Sequence, residues 1–323
     1  MKKIGGFFEF ELTRGKSIFH DNAIQLSTGR ACLNYLLQIY KPSKVYIPYY
    51  CCDALFEPME INNIEYDFYK INNQLEIINH PKLGPNEFII YCNFFGIKSS
   101  YARKLIDFYK NQLIFDNSHS FFHKGYKSNA SFTTARKYFG VPDGAFLYIN
   151  QDELYLKNIQ RNINVSINHN VHSLLGLQEL AFSEFSDYEK SLNSRIEKIS
   201  IISERLLSNV DFKEVRKIRN RNFNFFRKEF SEINTILIHD KEKDCFCYPL
   251  LLMNPIDITS LHKEKIYIPS YWKDVLNREN KELYKFECTI SSDLLPLPID
   301  HRYNLKDLKR VSQLIKKEYK KNG

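Results

Sequence analysis

Lys137, Asp116 and His119 are the residues whose types and spacing could carry chemistry. Lys137 stands in the stretch from Asn129 to Ile149, which turns through Gly140, Pro142 and Gly144 before an apolar run, Ala145 to Ile149. Asp116 and His119 lie shortly before it, at the end of another apolar run, Leu113-Ile114-Phe115-Asp116. A lysine on a loop and an acid at a strand end are what a pyridoxal phosphate (PLP) site requires. The amine forms a Schiff base with the aldehyde. The acid keeps the pyridine nitrogen protonated, so that the ring can act as an electron sink. Each residue also has a plain reading: a surface lysine, a turn aspartate, a structural histidine. The short spacing from Asp116 to His119 is what lifts the pair above that reading.

The elements that must position these residues can be read along the chain. Phe7 to Leu12 reads as a short strand in an N-terminal arm. The apolar residues from Ala31 to Tyr40 give a mostly buried helix that ends at Pro42, opened by Ser27-Thr28-Gly29-Arg30. A small polar turn at a helix start is a ready anion site, because its free N–H groups and the helix dipole both favour negative charge. It is also an ordinary N-cap. Lys44 to Pro48, Ile64 to Tyr69, Phe88 to Cys92 and Gln112 to Phe115 read as strands. Short helices are expected after Asp53 and from Ser99 to Lys110. Strands alternating with helices argue for an α/β domain with a largely parallel sheet. In such sheets ligands bind beyond the carboxyl ends of the strands, where Tyr49, Asn93, Asp116 and the Lys137 loop all fall.

Beyond Ile149 the pattern changes. Asn162 to His172 reads as a loop, and Leu174 to Leu207 as one long helix or two. From about residue 210 the chain reads as α+β, with strand candidates at Thr235 to His239, Cys245 to Leu252, Lys265 to Pro269 and Phe286 to Ile290. A final helix follows Asn304, its plausible cap. The expected division is an N-terminal arm and large domain over 1–207 and a smaller domain over 208–323.

Composition narrows the class. A chain of 323 residues with 43% hydrophobic and 26% charged residues can bury a large core and is ordinary for a soluble globular protein. The net charge of +8 raises the question of nucleic acid, but much of the excess lies in Lys306 to Lys321 and around Arg216 to Arg227. A solvated helix face explains the first of these, so no nucleic-acid partner is expected. The seven cysteines are odd in number and form no Cys-x-x-Cys pair, which argues against a zinc site. A nucleophilic role for Cys51 or Cys52 with His119 lacks an orienting third group. No apolar run approaches a membrane span, and charges interrupt the N-terminus early, so a cytoplasmic enzyme is expected.

With these residues in hand, the chain resembles the DegT/DnrJ/EryC1/StrS family of PLP-dependent aminotransferases, which mostly act on nucleotide-linked keto sugars. Five segments carry the resemblance in order: Leu26-Ser27-Thr28-Gly29-Arg30-Ala31, Val45 to Tyr50, Phe115-Asp116-Asn117-Ser118-His119-Ser120, Ala135-Arg136-Lys137 through Val141-Pro142-Asp143-Gly144, and Leu295 to Ile299 followed by Leu305 to Leu308. The resemblance implies the fold-type I architecture, with a large domain on a mainly parallel central sheet and a smaller α+β C-terminal domain. It implies Lys137 as the Schiff-base lysine and proton carrier, Asp116 against the pyridinium nitrogen, and His119 against the ring or its phenolic oxygen. Thr28, Gly29, Arg30 and Ser131 would bind the cofactor phosphate. Ser131 precedes Lys137 by six residues, one more than the family's commonest spacing. The aromatic over the cofactor ring falls near Cys52, so Tyr49, Tyr50 or Phe95 would have to supply it.

The expected activity is transfer of an amino group from an amino-acid donor, glutamate above all, to a nucleotide-linked keto sugar in surface-glycan synthesis. The family's active sites lie at a dimer interface, so a homodimer is expected. A PLP sugar dehydratase is disfavoured, because the lysine position there is usually histidine. A relative that binds a sugar nucleotide or a partner without catalysis is the remaining alternative.

Overall fold

The computed structural model describes residues 4–13, 15, 18–149, 158–239 and 241–322. In chain order the first half contains β1 (Ile24–Leu26), α1 (Gly29–Tyr40), β2 (Lys44–Pro48), α2 (Phe56–Ile61), β3 (Glu65–Ile71), β4 (Ile77–Ile78), β5 (Glu87–Cys92), α3 (Ser99–Tyr109), β6 (Leu113–Asp116), β7 (Ser131–Thr134) and β8 (Ala145–Tyr148). The second half contains α4 (Asn168–Leu174), α5 (Gln178–Ser191), α6 (Ile201–Ser208), α7 (Phe212–Phe230), β9 (Tyr248–Leu250), α8 (Thr259–Lys263), α9 (Lys285–Asp293), β10 (Leu295–Leu297) and α10 (Leu305–Asn322).

The first eight strands form one sheet in the order β1-β8-β7-β6-β5-β2-β3-β4. From β3 across to β7 neighbouring strands run parallel, while β1, β8 and β4 join antiparallel at the two sides. This is the mainly parallel α/β sheet that the alternating pattern predicts. Its inner strands are nearly continuous apolar runs, as parallel strands covered on both faces must be. In β5, Phe88 to Cys92 are all buried, as are Leu113, Ile114 and Phe115 in β6. Helix α1 supplies its own buried face, Ala31 to Leu37, with Thr28 as N-cap.

Several expectations are corrected. Phe7 to Leu12 carries no strand. Of the two readings of residues 174–207 the structure has two helices: α5 ends at Ser191, and an extended crossing, in which Lys198 bridges to both Leu26 and Arg161, separates it from α6. Helix α4 occupies part of the expected Asn- and His-rich loop. In the C-terminal third only Tyr248–Leu250 survives of the strand candidates, paired antiparallel with Leu295–Leu297. Phe286 to Ile290 lies in α9, whose Glu287 carboxylate accepts the Ile71 N–H at 2.7 Å. The cap at Asn304 is present: its side chain accepts from the N–H groups of Lys306 and Asp307, and Asp307 accepts from the Asn304 N–H in return.

One hydrophobic core runs from Leu26 in β1 through the sheet to Ile315 in α10. One arginine ties the C-terminal third to the end of β2, and a second braces that third internally. Arg278 donates to the carbonyls of Tyr49 and Cys51 and to the Asp53 carboxylate. Arg219, on α7, donates to the carbonyls of Cys245 and Phe246.

Candidate active site

The site assembles where β6 and β7 end. Asp116 is the last residue of β6 and is half-buried; its Oδ1 accepts the Ser118 N–H at 2.8 Å, and the Cys92 thiol lies 3.8 Å from Oδ2. The turn that follows carries His119 into the interior. Its backbone is pinned by the Ser120 N–H to Asn117 O bond at 2.7 Å, and by the Tyr138 hydroxyl donating to His119 O at 2.8 Å. Thr134 closes β7, and a tight turn through Ala135 places Lys137 so that Nζ is 3.0 Å from His119 Nε2. Lys137 itself is exposed, between the buried Ala135 and the buried Tyr138 and Phe139.

The protonation state of His119 follows from its partners. Nδ1 accepts the Phe95 N–H at 3.2 Å. Burial, with Lys137 acting in the same sense, holds its pKa well below the usual 6.5, so the ring is neutral. A neutral ring that accepts at Nδ1 carries its proton on Nε2. Nε2 faces Nζ of Lys137 at 3.0 Å.

The imidazole is packed among aromatic rings. Phe246 stacks on it at 4.5 Å and 13°, Trp272 at 5.4 Å and 2°, and Phe95 at 5.7 Å and 19°. Tyr50 meets Trp272 edge-on at 4.5 Å, and its buried hydroxyl has no partner. Tyr49 is engaged elsewhere, stacked on Tyr284 at 3.8 Å. The main aromatic partners of His119 are therefore Phe246 and Trp272, from the C-terminal third, and of Tyr49, Tyr50 and Phe95 only Phe95 stacks on the imidazole.

The predicted phosphate set is only partly brought together. The first turn of α1 abuts the end of β7: a Cβ built on Gly29 would lie 3.2 Å from Thr134 Cγ2 and 3.6 Å from the Phe132 ring. Thr28 spends its hydroxyl on the cap, accepting from Ala31 N at 3.0 Å and donating to Asn193 O at 3.1 Å. The Arg30 guanidinium is directed to Glu57 at 3.6 Å and to Leu192 O at 3.3 Å. What the turn offers an anion is therefore backbone: among the described residues no acceptor meets the N–H of Gly29 or Arg30. Side chains alternate along a strand. With Phe132 and Thr134 against Gly29, Ser131 faces the other side of the sheet. Thr134 is the hydroxyl on the Gly29 side, and the buried Oγ atoms of both Thr134 and Ser131 have no partner among the described residues.

These residues fit PLP. Asp116 would hold the ring nitrogen, His119 the phenolic oxygen, Lys137 the aldehyde carbon, and Gly29, Arg30 and Thr134 the phosphate through two N–H groups and a hydroxyl. The orphaned Thr134 oxygen at a helix start is the observation that favours the fit. Among the described residues no cluster of three or more His, Cys, Asp or Glu could hold a metal ion. No helix among them is long and apolar enough to cross a membrane.

No protein-family model matches the sequence, and no curated protein matches it significantly. Solved structures do match. A DegT DnrJ EryC1 StrS aminotransferase from Brucella abortus superimposes with a TM-score of 0.64 at 15% identity, over 91% of this chain and 85% of that one. Spr1654 from Streptococcus pneumoniae, in its PLP form, gives 0.65 at 13% identity over 93% and 88%. DesI, solved in the presence of its TDP-sugar product, gives 0.61 at 14% identity over 91% and 79%. The chain thus has the fold of the sugar aminotransferases, the fold-type I architecture of PLP enzymes.

Proposed function

We propose that the protein is a PLP-dependent aminotransferase that moves an amino group from an amino acid, glutamate first among donors, to a nucleotide-linked keto sugar for surface-glycan synthesis. The observation that carries this reading is the 3.0 Å contact between Lys137 Nζ and His119 Nε2, next to Asp116 at the strand ends. The shared fold, and a neighbour solved with a TDP-sugar product, support the substrate class.

PLP, when bound, supplies an electron sink for the carbon that loses its proton. The chain supplies the rest. Lys137 Nζ is the nucleophile and then the group that carries a proton between neighbouring carbons, a role that needs it close and unprotonated in turn. His119 orients Nζ through Nε2 and, being neutral, adds no positive charge of its own. Asp116 supplies the carboxylate that keeps a ring nitrogen cationic. Phe246 and Trp272 exclude water around the imidazole, which strengthens each of these interactions.

We propose further that the protein works as a homodimer. Helices α4 and α5 expose Leu174, Leu175 and Phe182, a patch of the kind that marks an interaction surface.

The deciding experiment is the visible absorbance of purified protein with added PLP, wild type beside Lys137→Ala. A lysine-dependent band, bleached by borohydride and lost on adding glutamate, is expected. No band in either protein would sink the aminotransferase reading and leave a sugar-nucleotide or partner binding protein on this fold.

A further inference from the structure

The carboxylate of Asp116 is held by one backbone group and one thiol. Oδ1 accepts the Ser118 N–H at 2.8 Å, and the Cys92 Sγ lies 3.8 Å from Oδ2, the long contact of a soft S–H donor. Among the described residues Asp116 forms no ion pair, so no fixed cation takes up its charge.

Strand register puts the thiol there. Cys92 ends β5 and Asp116 ends β6, and the two are Cα partners in the parallel ladder. Asp116 is in turn the partner of Phe132 in β7. Partners in a ladder share one face of the sheet, so Cys92, Asp116 and Phe132 form a row across three strands. That row lies under α1, since the Phe132 ring is 3.6 Å from a Cβ built on Gly29. The Asn93 N–H donates to Asp116 O at 2.9 Å, which carries the ladder one step past Cys92 and fixes both backbones. From α1 itself the buried Cys32 feels the same carboxylate: burial first, and then Asp116, push its pKa well above the usual 9.

The same two influences, in the same order, raise the pKa of Cys92 well above 9. Its sulfur therefore keeps its proton and has one to donate. A thiol is a weak donor. It sets the direction of a carboxylate oxygen while withdrawing little of its charge, whereas an arginine in its place would neutralise it. The charge left on Oδ2 is what a cationic ring nitrogen needs. Cys92 is 5% exposed, so the contact is shielded from water, which strengthens it.

We propose that Cys92 is a positioning residue: its S–H aims Oδ2 of Asp116 at the ring nitrogen of PLP and leaves that oxygen its charge. The use of the contact rests on the aminotransferase reading; the thiol–carboxylate bond itself does not.

The test is the infrared S–H stretching band of Cys92, isolated as the difference between wild type and Cys92→Val, without PLP and with it. A thiol bonded to a carboxylate absorbs at lower frequency than an unbonded one. Asp116→Asn should move the band up, because an amide is the weaker acceptor. PLP should also move it up, since the ring nitrogen then shares Oδ2. Valine is close to the thiol in volume and donates nothing. Cys92→Val should keep the lysine-dependent visible band and run the half-reaction with glutamate about tenfold slower. An S–H band that Asp116→Asn leaves in place, or a Cys92→Val protein as fast as the wild type, overturns the proposal. If Cys92→Val misfolds, the difference between Asp116→Asn and wild type still reads the band shift. Failure of the aminotransferase reading looks different: no visible band with PLP, and an S–H band that still responds to Asp116→Asn.

Discussion

The guanidinium carbon of Arg219 sits 4.3 Å from the centre of the Tyr138 ring, the residue next to Lys137. Arg219 is 1% exposed, and the other groups it engages are the carbonyls of Cys245 and Phe246. Since Phe246 stacks on His119, one buried cation holds both the lysine loop and the ring over the imidazole. Arg219→Ala removes a desolvated cation–π contact and strips two carbonyls of their donor, which should cost about 2–4 kcal/mol of stability. Arg219→Lys keeps the charge but loses the planar fork and should recover less than half. Urea unfolding followed by circular dichroism measures both, and an unchanged midpoint for Arg219→Ala would show that the contact contributes nothing.

Gly96→Ala should disturb the site directly. Gly96 has φ +74°, and a Cβ there would run into the His119 carbonyl oxygen while lying 3.1 Å from Cys245 Cα and 3.2 Å from Phe246 N. Three separate segments meet at that one missing side chain. The expected cost is about 1–3 kcal/mol from the left-handed backbone alone, with PLP affinity reduced because His119 is displaced. A variant that binds PLP as the wild type does would show that the segments can part without moving the imidazole.

Stability should fall with acid, and His20 offers a way to see one group do it. Its Nδ1 is 2.5 Å from the Tyr148 hydroxyl and its Nε2 2.6 Å from Phe121 O. Burial pulls its pKa down to about 3 from 6.5. Between those values the unfolded chain binds a proton that the folded chain refuses, so stability is present above pH 6.5 and is lost as pH falls toward 3. The slope is about 1.4 kcal/mol per pH unit for this group. His20→Gln should therefore narrow its stability gap to the wild type by about 2 kcal/mol between pH 6.5 and pH 5. Parallel pH profiles would disprove the assignment.

Asp116→Asn should leave the lysine-dependent absorption with PLP in place while slowing amino transfer on the order of 100-fold, since it removes the charge that stabilises a cationic ring nitrogen. Single-turnover mixing with glutamate reads the rate. Full-speed transfer in this variant would remove Asp116 from the proposed machinery.

Much of this was legible in the sequence, and the failures have physical causes. Asp116 and the Lys137 loop could be placed at strand ends from the local pattern, but it was the family resemblance that singled out Asp116, His119 and Lys137 together. The family resemblance also names Ser131 as a phosphate ligand, although it lies one residue farther from Lys137 than the commonest spacing. The pleat of β7 decides otherwise, giving Thr134 to the Gly29 side and Ser131 to the far side. Phe246 and Trp272 carry no local mark at all: they reach His119 only through the packing of the C-terminal third. The same packing overrode local propensity at Phe286 to Ile290, where the alternating apolar pattern resembles a strand but Glu287 and Ile290 serve as the buried side of α9.

The cover over His119 has a consequence for how the molecule is made. A chain is synthesised from its N-terminus, and its segments fold as they become available. Lys137 and His119 emerge together, while Phe246 and Trp272 follow only after α4 to α7. The aromatic cover of His119 is thus completed only when the last third of the chain closes over the sheet.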